Sequence, residues 1–380
     1  MKILIAISDS FCANFIKGQG HYLKKQGHEV VIVSGRGVEV DKLEETEKVR
    51  VIRVDFAREI SPFKDLLALK EIVKIIQKEK PDVINAGNPK TGFLFSLAHI
   101  LFPKIPLIFT LRGVRSDTLS GIKKRIVKFT EYLSCNLADK VIAISPSLKE
   151  HAINIKIAKE NKCVVLSKGS SNGIDLNHYS LNKSIEESAS TLLTKNGLDK
   201  SVFKLLFVGR LTKDKGVEEL IDAFEKCVKL GANIKLILVG PIEMQDPLRE
   251  DYYDKLKGNK NILYLGKQLD VRPLYALAEV LILYSYREGF GNVVIESASF
   301  GVPTIVADIP GLRDTTVHME TGLVVRPRSV ESLTEAIMYL YRNRIQAKMM
   351  GEKGKERIHT FFANEIVWSA QLNLYKELCK

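Results

Sequence analysis

Short β-branched apolar runs alternate with amphipathic helical stretches along nearly the whole chain, and few architectures satisfy that alternation. KILIAI (2–7) leads into a helical stretch at 15–26 and then HEVVIVS (28–34). VRVIRVDF (49–56), a long helical stretch at 62–80 and DVINAG (82–87) follow. After them come a helix at 92–102, PLIFTL (106–111), a basic helix at 121–138 and KVIAIS (140–145). The pattern restarts at FKLLFVG (203–209), with a helix at 217–230, IKLILVG (234–240), NILYLG (261–266), VLILYS (280–285) and PTIVAD (303–308). Such runs, separated by helices of ten or more residues, predict βαβ crossovers on parallel sheets.

The alternation falters at 167–201, SKGSSNGIDLNHYSLNKSIEESASTLLTKNGLDKS, a polar, turn-rich stretch with weak periodicity. At 380 residues the chain exceeds one ordinary core. The expected fold is therefore α/β, with two doubly wound Rossmann-like domains, 1–180 and 181–360, joined through that stretch. Each would present its strand carboxyl ends, where ligands bind in open α/β sheets, to a cleft between the domains. The last residues, 361–380, carry Ile366, Trp368, Leu372, Leu374, Tyr375 and Leu378. They predict a final amphipathic helix that packs back on the first domain.

An apolar fraction of 45% and a mean hydropathy near zero describe a soluble globular chain. No segment has the order of a signal peptide, and the most apolar stretch, 91–111, is broken by Pro103, Lys104 and Pro106. Five cysteines without a CxxC pair fit a reducing cytosol and argue against a disulfide framework or a zinc site. The net charge of +12 is uneven: residues 1–200 hold 32 Lys and Arg against 22 Asp and Glu. A basic first half predicts either an anionic partner (nucleic acid, phospholipid headgroups or a phosphorylated substrate) or simply a solvated surface. Nucleic acid ranks lowest, because the cations are not interleaved with aromatics and no nucleic-acid motif is present.

The stretch REGFGNVVIESASFGVPTIVADIPG, residues 287–311, places Glu288 and Glu296 eight positions apart around a Gly-Phe-Gly-Asn turn. VLILYS reads as a buried strand releasing the chain at Glu288, with Asn292 as N-cap of a helix. Gly289 and Gly291 then let the backbone approach a ligand at that helix start. Two carboxylates, each able to accept two hydroxyls, suit a sugar or ribose, although a glutamate in a first turn also complements the helix dipole. In FVGRLTKDKG (207–216), Arg210 and Lys215 flank a strand-to-helix turn, apt for a diphosphate, although surface loops carry such residues for other reasons. Gly18-Gln-Gly20 lacks the third glycine of a dinucleotide fingerprint and stands too far from the first strand.

With those residues assembled, the second half resembles the donor-binding domain of retaining glycosyltransferase family 4, on the GT-B fold. FVGRLTKDKGVEELIDAF, EGFGNVVIE and GVPTIVADIPGLRDTTVHMETGLVV carry the resemblance. NPKTGFLFSLA, TLRGVRS, ADKVIAISPSLKEH and KGSSNGIDLNHY extend it to the family's bacterial polysaccharide branch. The resemblance implies an acceptor-binding first domain and a nucleotide-sugar-binding second domain, with a UDP-sugar as the expected donor. It implies that Arg210 and Lys215 hold the donor diphosphate, Glu288 the sugar hydroxyls and Glu296 the ribose. Gly209, Gly289, Phe290, Gly291, Asn292 and Val293 would line that donor site, and Arg210, Lys215 and Glu288 would be catalytic. The chain departs from the family where histidines are common: it has Asn85-Ala86-Gly87-Asn88 and Arg112.

The expected reaction is transfer from a nucleotide sugar to a saccharide or polyprenyl-diphosphate-linked acceptor in surface-polysaccharide assembly. Retention follows from the family alone. No Asp-x-Asp stands at a strand end, so neither a metal nor a resident cofactor is expected; the nucleotide sugar is a co-substrate. Lys90, Arg112 and Arg115 follow strand ends in the first half and are candidates for the acceptor diphosphate. Lys123, Lys124, Arg125 and Lys128 stand beside Ile122, Ile126, Phe129 and Leu133, a pattern of either a packed surface helix or one lying on an anionic membrane. A cytoplasmic enzyme attached peripherally to the inner membrane face is the expectation. The rivals are an epimerase or glycogen-type synthase on the same architecture, and a non-catalytic partner of a polysaccharide assembly machine. The last predicts freedom at Arg210, Lys215 and Glu288.

Overall fold

The computed structural model describes residues 1–57, 61–199 and 201–380, so Lys200 of the expected connecting stretch lies outside it. The chain forms two units, Met1–Gly173 with Asn364–Lys380, and Ile174–Ala363. The first holds parallel strands β1 (Lys2–Ala6), β2 (Glu29–Ser34), β3 (Arg50–Arg53), β4 (Val83–Ala86), β5 (Leu107–Leu111), β6 (Lys140–Ala143) and β7 (Cys163–Val164), ordered β3-β2-β1-β4-β5-β6-β7. The second holds β8 (Phe203–Val208), β9 (Ile234–Val239), β10 (Ile262–Tyr264), β11 (Val280–Leu283), β12 (Thr304–Ala307) and β13 (Gly322–Val325), ordered β10-β9-β8-β11-β12-β13. Ile3 pairs with both Val30 and Val83, and Leu205 with both Leu236 and Val280. Each sheet therefore reverses its winding once, between β1 and β4 and between β8 and β11, which is where doubly wound sheets open a ligand crevice. With helices on both faces, strands such as VLIL at β11 are buried throughout, which is why they read as unbroken apolar runs.

Three expectations change. The polar stretch 167–201 contains a helix, Lys183–Lys195, opened by the Asn182 carboxamide, which accepts from the Ile185 amide at 3.0 Å. Its Ile185, Ala189 and Leu193 are buried and pack toward the short helix Arg272–Leu277. Three apolar residues diluted by Ser, Thr and Glu leave too narrow a stripe to stand out. The division between units falls after Gly173, not at 180. Residues 361–363 stay with the second unit, and the helix that returns to the first is Asn364–Leu378. The strand β13 and the helices Val38–Glu47, Val330–Arg342 and Arg344–Phe361 were not among the sequence expectations.

Leu372, Leu374 and Tyr375 of the returning helix join Ile3, Ile5, Val30 and Ile108 in the first unit's core. A buried polar chain fixes its register. The Thr110 hydroxyl donates to Asn85 Oδ1 at 2.8 Å, Asn85 Nδ2 donates to the Tyr375 hydroxyl at 2.7 Å, and Gln371 Nε2 donates to the same oxygen at 2.6 Å. Gln19 Nε2 in turn donates to Gln371 Oε1. Trp368 Nε1 reaches Asn172 Oδ1 at 2.7 Å. Among the described residues no helix is long and apolar enough to cross a membrane.

Candidate active site

The winding reversal of the second sheet brings the exits of β8 and β11 side by side, and the two best-placed site residues meet there. After β8 the chain makes a single 3-10 turn, Lys213–Lys215, and leaves it through Gly216 at φ +64°. A Cβ at Gly216 would strike the Tyr284 carbonyl oxygen, so only glycine lets this turn lie against the end of β11. Lys215 is thereby delivered to Glu288, and the two form an ion pair. The Ser285 hydroxyl donates to the same Glu288 oxygen at 3.1 Å. The side chains are 15% and 17% exposed, partly withdrawn from water yet reachable.

Asp214 laces the two exits together. Its carbonyl accepts from the Tyr286 amide at 2.8 Å and its carboxylate meets Arg287 Nε at 3.0 Å, while its own amide donates to Asp246 at 2.8 Å. Burial alone would raise the Asp214 carboxyl, but the Thr212 hydroxyl, Lys215 and Arg287 together hold it below the usual carboxylate range.

The Gly-Phe-Gly-Asn turn follows. Phe290 is buried, its ring 5.5 Å from that of Phe362, so it anchors the turn and offers a ligand only its backbone. Gly291 at φ +79° precedes the helix Asn292–Ala298, which corrects the expected N-cap. Asn292 is the first helical residue, exposed, and the left-handed glycine makes the entry that a capping side chain would otherwise stabilise. Val293 is partly buried against the core, and the Gly209 amide is already committed to the Val239 carbonyl at 2.9 Å.

Glu296 lies one turn into that helix. Tyr275, fully buried, donates its hydroxyl to Oε2 at 2.8 Å, and the Tyr179 phenol stands near the same carboxylate. Burial pushes the Glu296 carboxyl up, and the two phenols pull it partly back. Arg210, 45% exposed just past β8, is ion-paired with Glu243. Lys215 and Glu288 are thus in contact, whereas Arg210 and Glu296 hold partners of their own along the same carboxyl edge.

In the first unit the three acceptor candidates have different surroundings. Lys90 is paired with Asp65, at 2.7 and 2.9 Å to the two carboxylate oxygens. Arg115 is exposed, its amide held by Glu131 Oε1 at 2.6 Å. Arg112 donates from Nε to the Ser171 hydroxyl at 2.6 Å and from Nη1 to the Gly87 carbonyl, and lies 5.5 Å from the Phe15 ring centroid. None of these partners is an acid, and burial pushes the Arg112 guanidinium down to about 10.

Residues 12–169 match the Glycosyl transferase 4-like domain family, and residues 190–357 match the Glycosyl transferases group 1 family. The chain is 34% identical over 380 residues to the capsular polysaccharide biosynthesis glycosyltransferase CapM of Staphylococcus aureus, covering 100% of this chain and 98% of that protein. The chain belongs to this glycosyltransferase family. A more distant relative of the transferase is the Escherichia coli UDP-Gal:alpha-D-GlcNAc-diphosphoundecaprenol alpha-1,3-galactosyltransferase, 24% identical over 74% of this chain and 72% of that one. HepE of Anabaena, solved in complex with UDP and glucose, superposes with a TM-score of 0.80 at 18% identity, covering 99% of this chain and 100% of that one, and shares the GT-B fold.

Several residues around the transferase's candidate site gave no sequence signal. Tyr179, Tyr275, Ser285 and Glu243 act on the predicted residues from other segments, and only the folded chain brings them near. The Gly18-Gln-Gly20 amides likewise have an internal purpose. Glu47 accepts from the Gly18 amide at 2.6 Å and the His21 amide at 3.1 Å, so a carboxylate of the protein occupies the start of the helix Gln19–Lys25.

Proposed function

We propose that the transferase moves a sugar from a UDP-sugar to a saccharide or polyprenyl-diphosphate-linked acceptor in surface-polysaccharide assembly, with retention and without a metal. One observation carries this reading: Lys215 and Glu288, a cation and a hydroxyl acceptor, meet at the winding reversal of the second sheet. A departing nucleoside diphosphate gains negative charge in the transition state, and a fixed cation stabilises it more there than in the ground state. Lys215 and Arg210 supply that charge and take the place a metal would otherwise fill. Pairing with Lys215 orients Glu288 to accept sugar hydroxyls, and Glu296 accepts those of the ribose. The acceptor oxygen bonds to the anomeric carbon as the bond to phosphate breaks on the same face, and the acceptor's proton passes to the leaving phosphate oxygen.

The acceptor class is supported by the E. coli relative, whose name specifies a diphosphoundecaprenol-linked sugar, and by the capsular assignment of the S. aureus relative. Arg112, a cation beside Ser171 and Gly87 with no acid on it, is the first-unit group best suited to a phosphate. A lipid-linked acceptor also calls for a membrane surface. The helix Gly121–Leu137 exposes Ile122 and Phe129 at 68% and 60% beside Lys123, Lys124 and Arg125, in keeping with peripheral attachment.

The test is turnover of UDP-sugars by the purified chain with a diphosphate-linked acceptor. Lys215→Ala and Glu288→Gln are expected to lower kcat by about 10²–10³-fold, the scale of losing one charge-stabilising group, with unchanged circular dichroism. Near-normal transfer by either folded variant would overturn the assignment.

A further inference from the structure

We infer that Tyr275 is a positioning residue that sets Glu296 to receive a vicinal diol, making the helix Arg272–Leu277 part of the transferase's selection for ribose. This inference rests on the reading of Glu296 as the ribose acceptor. An ionised carboxylate offers about four lone-pair positions. The Tyr275 hydroxyl occupies one of them, on Oε2, and leaves enough for adjacent 2′ and 3′ hydroxyls.

Tyr275 and the nearby Tyr179 are both placed by contacts that do not involve the Glu296 carboxylate. Tyr275 sits in the helix Arg272–Leu277 with no exposure, its ring 5.8 Å from that of Phe300. Tyr179 follows the crossing at Gly173 by only a few residues. Its carbonyl accepts from the Ser299 hydroxyl at 2.9 Å, and its amide donates to the Asp175 carbonyl at 2.9 Å. Arg272, clamped by Asp270 at 2.6 Å, donates to the His178 carbonyl at 3.1 Å and fixes the preceding residue. Ser299 lies one helical turn beyond Glu296, so the stretch carrying Tyr179 is bound to the segment whose carboxylate Tyr275 orients.

The charged groups acting on this cluster are Glu296 itself and, beside Tyr179, Arg272 and Asp270. Burial raises the Glu296 carboxyl and the two phenols lower it. A carboxyl raised in the folded chain loses its charge as pH falls through its own pKa. Removing a donor lifts that pKa further and moves the loss to higher pH.

Calorimetric titration of the full chain with UDP and with 2′-deoxy-UDP, over a descending pH series, reads both consequences. The wild-type chain is expected to favour UDP about tenfold, the effect of one unmet hydrogen bond. Tyr275→Phe is expected to shrink that preference to about threefold or less, and its UDP affinity is expected to begin falling at a higher pH than the wild type's. Tyr275→Met is the second variant, should Tyr275→Phe fail to fold. If Glu296→Gln abolishes the preference but the folded Tyr275 variant keeps the wild-type preference and pH profile, the positioning role is wrong and the ribose reading stands. If Glu296→Gln itself leaves the preference intact, the ribose reading fails and takes this inference with it.

Discussion

At Lys215 the chemistry depends on a neighbour with no side chain. Gly216 stands at φ +64°, and a Cβ there would collide with the Tyr284 carbonyl, so any other residue must shift the turn that aims the ammonium at Glu288. An alanine carries a left-handed backbone cost of about 1–2 kcal/mol before the collision is counted. Gly216→Ala is expected to lower the second unit's stability by about 2 kcal/mol, and kcat/KM by about tenfold or more through displaced Lys215. Thermal melts with parallel kinetics check it, and wild-type kcat/KM in the variant would disprove the aiming role. The types of the reactive residues were legible in the sequence, because cations and carboxylates at strand exits have few structural uses. Their second partners were not. Nothing local to Glu296 foretells Tyr275, and nothing near Arg210 foretells Glu243. Phe290 shows the converse, since a residue inside the motif turned its ring into the core.

Among the elements, the helix Gly121–Leu137 shows how far periodicity reaches. Its apolar residues Ile122, Ile126, Phe129 and Leu133 describe one stripe, yet the buried positions are Val127, Glu131, Ser134 and Cys135. The core took the face that fits against the helix Pro89–His99, and Ile122, Ile126 and Phe129 stand 68%, 43% and 60% exposed. The helix Pro62–Glu79 repeats the pattern, with Phe63 73% exposed and Leu66 and Leu67 each 50%, beside Lys64. Burying a Phe or Ile in an acyl boundary is worth about 1.5–3 kcal/mol, and each adjacent cation about 1 kcal/mol near an anionic surface. The chain is therefore expected to float with phosphatidylglycerol liposomes at low salt and to be released at high salt. Ile122→Glu with Phe129→Glu is expected to cut the bound fraction about tenfold or more while transfer to a water-soluble acceptor analogue persists. Equal flotation of wild-type and variant chains would remove the membrane reading.

For the whole molecule, the chain crosses from the first unit to the second after Gly173 and back after Ala363, and the returning helix completes the first core. Tyr375 has no exposure, and its hydroxyl accepts from both Asn85 and Gln371. Tyr375→Phe leaves two buried amide groups without an acceptor, at about 1–3 kcal/mol. The first unit's thermal transition is expected to fall by about 3–8 °C, with the second unit's unchanged. An unaltered transition would show that the network adds nothing to the stability of that unit. Parallel α/β architecture followed from sequence alone, because strands covered on both faces and helices covered on one must carry different hydropathy periods. The motif glutamates and the two cations were readable as well, since glycine turns at strand ends are local. Only the folded chain decided where each unit ends, which face of each helix is buried, and which carboxylate meets which cation. Those outcomes depend on contacts between residues tens to hundreds of positions apart, and no window along the sequence contains both partners.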